Sequence, residues 1–506
     1  MKKDDLEKIF ILNPYYSLKN DGKRAIICNS PAFKISDTLA EDAISSFIHP
    51  AYAMALSFFN GENTLEICVN QISELFESTK EDSYDFIAPF LENKERVGVN
   101  YDNHSYEFPY RILLDNTQFC FPKRELHYKD YDINEELDFE TFRLIKSPST
   151  IVLLVNTICI TDCIYCYVQR DKRIDCQIPI ERLCEIIEDA KRNQVTNFDL
   201  AGTEVFLYKH WDVLMATLLK NGFYPYLSTK IPLTKNDLKK IKDLGVNDLQ
   251  LSIDTAINEE AQIVNRTKIA DYADKMFETL SFTEEIGLNI VVNVVITKYN
   301  STQAGIKLLL DKINRNNNIE RVTINPGEPS LYCSEKNFID FKNSIKEIKE
   351  LENYIDEIKG NYKFSINIAN YTEIEEYKDS FDEKAKIFYA RSFCTGNVNQ
   401  FCILPDGQVT ICEELYWNPR FIIGNILENS ISEIWQSEKA LKLYNISQEE
   451  ISIHTPCKTC KDFSLCRKYE GVCWSDVLTA FGSDNWDFPA SNCPFAPFPY
   501  HNIYHE

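Results

Sequence analysis

The sequence predicts an α/β protein with a parallel sheet at its centre, a small mixed unit before it and a cysteine-rich tail after it. Between residues 148 and 388, short apolar runs alternate with amphipathic helical patterns. This alternation is typical of βαβ units, and therefore of a parallel sheet that is either open or curled toward a barrel. Because the chain has 506 residues, too many for one ordinary core, we expect two to four domains.

Residues 1–100 are predicted to form a separate unit of one hairpin and three helices. Two apolar-rich strands flank an Asn-Asp-Gly turn at residues 20–22. Helical patterns follow in HPAYAMALSFFNG, NTLEICVNQISELFE and YDFIAPFLEN. Asn63 and Glu66 are spaced as a capping box for the second helix. The pattern indicates a winged helix, although a generic α+β domain has the same periodicity. Residues 101–147 show no clear period and are predicted to be a connector.

Six apolar runs are predicted to be the strands of the central sheet. They are IVLLVN (151–156), NFDLAG (197–202), YPYLST (224–229), DLQLSID (248–254), NIVVNVVIT (289–297) and RVTIN (321–325). Parallel sheets place their chemistry beyond the carboxyl ends of the strands. Cys159, Cys163 and Cys166 come just after the first run, so these three thiols are expected at an active site.

The composition excludes several classes of partner. The 77 acidic and 54 basic side chains give a net charge of −23, which repels nucleic acid and anionic lipid. The N-terminus has no apolar stretch of signal-peptide length, and no run of about 18 apolar residues predicts a membrane span. We therefore expect a cytoplasmic protein that binds neither nucleic acid nor membrane. In such a chain, 17 cysteines indicate metal binding or redox chemistry more than a disulfide framework.

The first cysteine group contains three thiols and no nearby fourth ligand. A structural zinc site closes with four ligands, and the next cysteine, Cys176, is ten residues further on. A four-iron cluster held by three thiolates keeps one iron open for a small molecule. This C-x3-C-x2-C motif after the first strand resembles the signature of the radical S-adenosylmethionine (SAM) enzymes. The resemblance implies a [4Fe–4S] cluster on Cys159, Cys163 and Cys166 whose open iron binds SAM. One electron then cleaves SAM to a 5′-deoxyadenosyl radical, which takes a hydrogen atom from the substrate.

The resemblance extends to a SAM pocket at the ends of the other strands. The residues that it assigns there are Tyr165, Gly202, Thr203, Glu204, Ser252, Asp254 and Arg266. Tyr165 would lie against the adenine, Glu204 would pair with the SAM ammonium, and Arg266 with its carboxylate. The segment AGTEVFL resembles the family's GGEP segment but departs from it at Thr203 and Val205.

The tail resembles the SPASM domain, an extension of radical SAM enzymes that holds two further four-iron clusters. Its cysteines follow the pattern C-x12-G-x4-C, then C-x2-C-x5-C, and then two single cysteines. The resemblance assigns Cys394, Cys412 and Cys473 to a first auxiliary cluster, and Cys457, Cys460, Cys466 and Cys493 to a second. Six residues instead of the usual three separate Cys466 from Cys473, which we interpret as a loop insertion. Paired zinc-ribbon sites are the competing interpretation.

Three residues near Cys412 remain open to two interpretations each. Cys402 is a candidate fourth ligand of the first auxiliary cluster, or a buried strand cysteine. Glu413 and Glu414 follow Cys412 directly, and in some SPASM enzymes an acid at this place takes the substrate proton. The alternative for both glutamates is a solvated acidic turn.

The domain order predicts a class of substrate. The segment IHPAYAMALSFFNGENTLEI resembles the peptide-recognition domain known from pyrroloquinoline quinone biosynthesis, which binds a leader peptide as an added strand. With a partial (β/α)6 radical SAM barrel at 148–388 and a SPASM domain at 389–506, this implies an oxidoreductase that cross-links a ribosomally made precursor peptide. A thioether is favoured over a C–C or C–O link, with flavodoxin or ferredoxin as electron donor. The alternatives are an oxidase of the kind that makes formylglycine in sulfatases, and a non-catalytic metal-binding peptide scaffold.

Overall fold

The N-terminal part of the chain contains the predicted hairpin and three helices, together with strands that the sequence did not reveal. The computed structural model describes residues 6–30, 39, 44–102, 104–133, 136–169, 171–368 and 380–505. The first elements are β1 (Ile9–Leu12), β2 (Tyr16–Asn20), β3 (Ala25–Asn29), β4 (Ser45–Ile48), α1 (Pro50–Leu56), β5 (Asn60–Thr64), α2 (Leu65–Phe76), α3 (Lys80–Ile87), β6 (Val97–Tyr101), β7 (His104–Phe108), β8 (Leu113–Asp115) and α4 (Asn116–Phe119). The sheet orders are β2-β3-β4 and β5-β1-β8, and β6 pairs with β7.

The predicted capping box of α2 is wrong, because the helix is capped one residue later, by Thr64 alone. Thr64 is the N-cap residue, in extended conformation, and its Oγ1 accepts from the backbone N–H of Ile67 at 3.4 Å. Asn63 lies in β5, and its side chain donates to the carbonyl of Phe58 at 3.2 Å. Two adjacent residues able to cap a helix cannot be ranked from sequence alone.

The core of the N-terminal unit continues past residue 100. Tyr106 and Phe108 of β7, Leu113 of β8 and Tyr131 are buried in the same cluster as Leu56 of α1. Residues 101–131 therefore contribute strands and core side chains, where the sequence predicted a connector without regular structure. Tyr106 and Phe108 lie on the same face of β7 with one polar residue between them. Two apolar positions are too few for the alternation to predict a strand.

A parallel α/β unit follows, and it contains all six predicted strands. Its elements are β9 (Thr150–Leu154), α5 (Ile180–Arg192), β10 (Asn197–Ala201), α6 (Trp211–Lys220), β11 (Ser228–Thr229), α7 (Lys235–Asp243), β12 (Asp248–Ser252), α8 (Asn258–Val264), α9 (Tyr272–Ile286), β13 (Asn289–Ile296), α10 (Gln303–Ile313), β14 (Ile319–Pro326), α11 (Glu335–Phe341), α12 (Ile345–Ile358), β15 (Ser365–Ile368) and α13 (Phe381–Ala390). β9 pairs with β10, and β11 to β15 pair in chain order, all in parallel. Among the described residues β10 and β11 share no ladder, so the strands do not close into a complete barrel.

The tail is joined to this unit through a shared sheet. Its elements are β16 (Gln400–Ile403), β17 (Gln408–Thr410), β18 (Ile422–Asn425), α14 (Ile431–Trp435), α15 (Glu438–Tyr444), α16 (Phe463–Leu465), a π-helical turn (Cys466–Glu470) and α17 (Trp474–Phe481). β16 runs parallel to β9, with Gln400 opposite Thr150 and Ile403 opposite Leu153. The tail cysteines therefore begin beside the strand that leads into the three-thiol loop. None of the described helices is both long enough and apolar enough to cross a membrane.

Candidate active site

The three thiols of the first group lie in one loop directly after β9. The Cys159 and Cys163 sulfurs lie 3.1 and 3.5 Å from Oγ1 of Thr161, which stands between them. Cys163 is buried, whereas Cys159 and Cys166 are partly exposed. Burial raises the pKa of Cys159, against the hydrogen bonds from Thr161. No disulfide bond joins any of the 17 cysteines, all of which are in the described ranges.

Asn265 at the end of α8 holds this loop in place. Its carbonyl accepts from the N–H of Asp162 at 2.9 Å, and the carbonyl of Val264 accepts from Ile164 at 2.9 Å. The side-chain amide of Asn265 donates to Cys163 Sγ at 3.6 Å and to Asp254 Oδ2 at 2.6 Å. Asn265 was missed in the sequence, where it precedes Arg266 and carries no signal of its own.

Asp254, at the end of the fourth central strand, is the centre of a buried polar network. Its carboxylate accepts from Tyr165 OH, from the N–H of Val295 at 3.0 Å and from Asn265. Lys230 Nζ lies 2.8 Å from Asp254 Oδ2, and the Lys230 side chain is only 15 % exposed. Burial alone would lower the pKa of Lys230, but the charges of Asp254 and Cys163 raise it above its ordinary value. Lys230 thus places a fixed positive charge near the thiol loop.

Glu204 is buried after β10, with only 2 % of its surface exposed. Its Oε2 accepts from Thr229 Oγ1 at 2.9 Å and from the N–H of Lys230 at 3.1 Å, and its Oε1 from Phe206 at 3.4 Å. Burial raises the pKa of Glu204 to about 7, although the hydrogen bonds oppose this shift. A buried carboxyl with this pKa is suited to receive a positively charged group.

The departure from the family pattern at Thr203 has a structural role. Its hydroxyl donates to the backbone carbonyl of Asn156 at 2.8 Å and lies 2.7 Å from Asn156 Oδ1. Gly202 has a φ of +103°, and a Cβ there would lie 3.2 Å from the Asn156 carbonyl oxygen. Only glycine suits this position, while Thr203 braces the end of β9 where the family has a second glycine.

Ser252 and Arg266 differ in how they relate to this pocket. Ser252 ends β12, and its hydroxyl accepts from Gln250 Nε2 at 3.3 Å. Arg266 is half exposed, and its guanidinium lies 3.9 Å from Asp162 on the thiol loop. The cation that the structure brings to Asp254 is Lys230, which follows the third predicted strand directly and donates its backbone N–H to Glu204. That position, at the carboxyl end of a parallel strand, is the signal that could have identified it.

The structure brings together the three cysteines assigned to the first auxiliary cluster. A sulfur–sulfur hydrogen bond with Cys473 lowers the pKa of Cys394 to about 7. Burial raises the pKa of Cys412 to about 12, and the charges of Glu414 and Cys394 add to this. The six-residue spacing before Cys473 therefore does not prevent it from reaching Cys394.

Cys402 lies elsewhere, on β16 in an apolar cluster. It is 1 % exposed and packs with Val152, Leu154 and Tyr416. Burial raises the pKa of Cys402 well above the ordinary value, and the charges of Glu413 and Cys412 raise it further. These surroundings are those of a core cysteine.

The four cysteines assigned to the second auxiliary cluster line one cavity. Cys457, Cys460, Cys466 and Cys493 face it together with Phe463 and Arg467. Gln448 donates to the carbonyls of Cys457 and Cys460 at 2.8 Å each, which fixes the first two cysteines. Thiolate sets of this kind suit iron–sulfur clusters or zinc. Within the described ranges, no three His, Cys, Asp or Glu side chains lie as the ligands of a single metal ion would.

The two glutamates after Cys412 have different surroundings. The carboxylate of Glu414 accepts a hydrogen bond from Ser475 Oγ. Glu413 is partly buried, and burial, then the charges of Glu414 and of Asp199 on β10, raise its pKa. The raised pKa favours the protonated form of Glu413.

Two regions of the chain match known protein families. Residues 153–301 match the radical SAM superfamily, and residues 394–461 match SPASM, an iron–sulfur cluster-binding domain. Among curated protein sequences, none matches this chain.

Similar solved structures include two of SuiB from Streptococcus suis. One is bound to the precursor peptide SuiA and the other to S-adenosylmethionine, with TM-scores of 0.59 and 0.60. Both are 15 % identical in sequence, and both matches cover 96 % of this chain and 99 % of SuiB. At this identity the likeness concerns the fold. With both domain matches, the chain is an enzyme with a radical SAM domain and a SPASM domain.

Proposed function

We propose that this enzyme cross-links a ribosomally made precursor peptide, through a thioether or a C–C or C–O bond. The observation that carries the proposal is the parallel pairing of β16 with β9. Because β16 also pairs with β17, which ends just before Cys412, the strand before the three-thiol loop and the strand before Cys412 belong to one sheet. A cross-link removes two hydrogens from the peptide, and a second redox site beside the first suits that chemistry.

Different residues of the pocket are proposed to bind different groups of SAM. Glu204 is proposed to receive the amino group, and Lys230 the carboxylate. Tyr165 is proposed to lie against the adenine, with its hydroxyl held by Asp254. When bound, the reduced cluster with SAM supplies the radical that takes one hydrogen atom from the peptide. The second hydrogen leaves as a proton and an electron, for which Glu413 is the proposed proton acceptor and the tail cysteine sets the proposed electron route.

The edge of the N-terminal sheet is the proposed site for the leader peptide. Among the described residues, β4 pairs with β3 alone. The N–H of Asn29 donates to the Ile44 carbonyl, so by antiparallel alternation the backbone groups of Ser45 and Phe47 point away from β3. These unpaired groups suit the addition of a strand. SuiB, which shares the fold, has been solved with its precursor peptide.

Iron and SAM cleavage test the proposal against a zinc-binding scaffold. Three [4Fe–4S] clusters would carry about twelve irons per chain. Replacing Cys159, Cys163 and Cys166 by Ala should remove about four irons and abolish reductive SAM cleavage. Stoichiometric zinc without iron in an anaerobically prepared protein would contradict the proposal.

A further inference from the structure

Arg467 lies between the two cysteine sets of the tail. It follows Cys466 in the π-helical turn and faces the cavity that Cys457, Cys460, Cys466 and Cys493 line. It also faces a second cavity, which is lined by Cys394 of the first set. Arg467 therefore lines both cavities.

The contacts of Arg467 leave part of its guanidinium without a protein partner. One terminal nitrogen lies 3.9 Å from Cys457 Sγ. The guanidinium carbon is 5.1 Å from the ring centroid of Phe463 and 5.3 Å from that of Trp474. The other terminal nitrogen is buried and has no hydrogen-bond partner in the described part of the chain. A buried donor without a partner is costly, which indicates that an acceptor other than these side chains belongs there.

The loop insertion after Cys466 fixes the place of this arginine. Arg391 donates to the carbonyls of Glu470 and Gly471 at 3.2 and 2.9 Å. Gly471 has a φ of +64°, and a Cβ there would lie 3.2 Å from the ring of Phe393. The segment between Cys466 and Cys473 is thus held by hydrogen bonds from Arg391 to its backbone and by close packing of Gly471 on the ring of Phe393. Arg467 is the first residue of this segment.

We propose that Arg467 is a positioning residue that sets the reduction potentials of the two auxiliary clusters. The inference rests on the proposed function, in which both cysteine sets hold [4Fe–4S] clusters. Reduction adds one negative charge to a cluster, and a nearby cation stabilises the more negative state. Arginine keeps its charge at every working pH, so the effect is constant. It is larger at the second cluster, because Arg467 contacts Cys457.

A redox titration followed by electron paramagnetic resonance tests this inference. The background protein carries Cys159→Ala, Cys163→Ala and Cys166→Ala, so that only the auxiliary clusters remain. In it, Arg467→Gln is compared with Arg467→Lys, which keeps the charge. Arg420→Gln is the matched control, since Arg420 stacks on Trp486 at 4.0 Å in the same domain and lines neither of the two cavities. The signal lost in Cys457→Ala identifies the second cluster.

Arg467→Gln should shift both midpoint potentials to more negative values, with the larger shift at the second cluster. Arg467→Lys and Arg420→Gln should stay near the background values. Unchanged potentials in an iron-loaded Arg467→Gln protein overturn the inference. So does an Arg467→Lys protein whose potentials fall as far, because charge is then not the cause. A background protein without iron contradicts the proposed function itself, and Arg467 then has no cluster to act on.

Discussion

Lys230 Nζ lies 2.8 Å from Asp254 Oδ2, in a buried pair formed at the ends of two neighbouring parallel strands. Asp254 also accepts hydrogen bonds from Tyr165, which belongs to the three-thiol loop, and from Asn265, which contacts that loop. Arg266, by contrast, is half exposed and directed at Asp162. We infer that Lys230, and not Arg266, is the cation that receives the SAM carboxylate.

Replacing Lys230 by Met should weaken SAM binding by about 10- to 100-fold, because this is the loss of affinity that removing a hydrogen bond to a charged group causes. Arg266→Gln, the matched control, should leave the affinity nearly unchanged. Equilibrium binding of SAM to the anaerobically reconstituted protein measures both. Because Lys230→Met leaves the charge of Asp254 buried without its cation, the double variant with Asp254→Asn should also be tested. A larger loss in Arg266→Gln than in either Lys230 variant would return the role to Arg266.

The raised pKa of Glu204 predicts a pH-dependent effect of its removal. Between the unfolded value near 4.5 and the folded value of about 7, the folded state keeps a proton that the unfolded chain loses. Glu204 therefore costs stability as the pH rises through this window. Glu204→Gln should differ only slightly in stability from the wild type at pH 5 and be more stable at pH 8, by about 1–3 kcal/mol. Melting temperatures without SAM at both pH values measure this, and an equal difference at both would show that Glu204 titrates normally.

Cys402 and Cys412 should differ in their effect on iron content. Cys402 packs in an apolar cluster, so Cys402→Ala should retain the iron of the wild type. Cys412→Ala, in the set with Cys394 and Cys473, should lose about four irons per chain. Iron and sulfide assays after anaerobic reconstitution decide between them. Equal losses in the two variants would make Cys402 the fourth ligand.

The outward backbone of β4 predicts a selective defect in leader binding. Ser45→Pro removes an N–H that points away from β3, at the first residue of an edge strand, where proline is tolerated. It should weaken binding of a fluorescent leader peptide, while Ser45→Ala keeps the N–H and should bind normally. SAM cleavage without peptide should be unaffected in both. Normal leader binding by Ser45→Pro would place the leader elsewhere.

The central strands could be predicted because each is a short apolar run buried against helices, with turn signals at both ends. The thiol loop followed from the spacing of its three cysteines together with their place after the first strand. The place of Lys230 at a strand end could have marked it as a candidate. Its pairing with Asp254 could not be predicted, since Asp254 is 24 residues away and only the parallel pairing of β11 with β12 brings them together. Cys402 stayed ambiguous for a similar reason. Its environment depends on the pairing of β16 with β9, across about 250 residues of sequence that carries no signal for the register.

The mass of the precursor peptide after an anaerobic reaction with SAM tests the central claim most directly. Each cross-link should make the peptide lighter by the mass of two hydrogen atoms, and 5′-deoxyadenosine should accumulate with it. High-resolution mass spectrometry of peptide fragments locates the bond. A gain in mass from a transferred methyl group or sulfur, or an unchanged mass with epimerised residues, would contradict cross-linking.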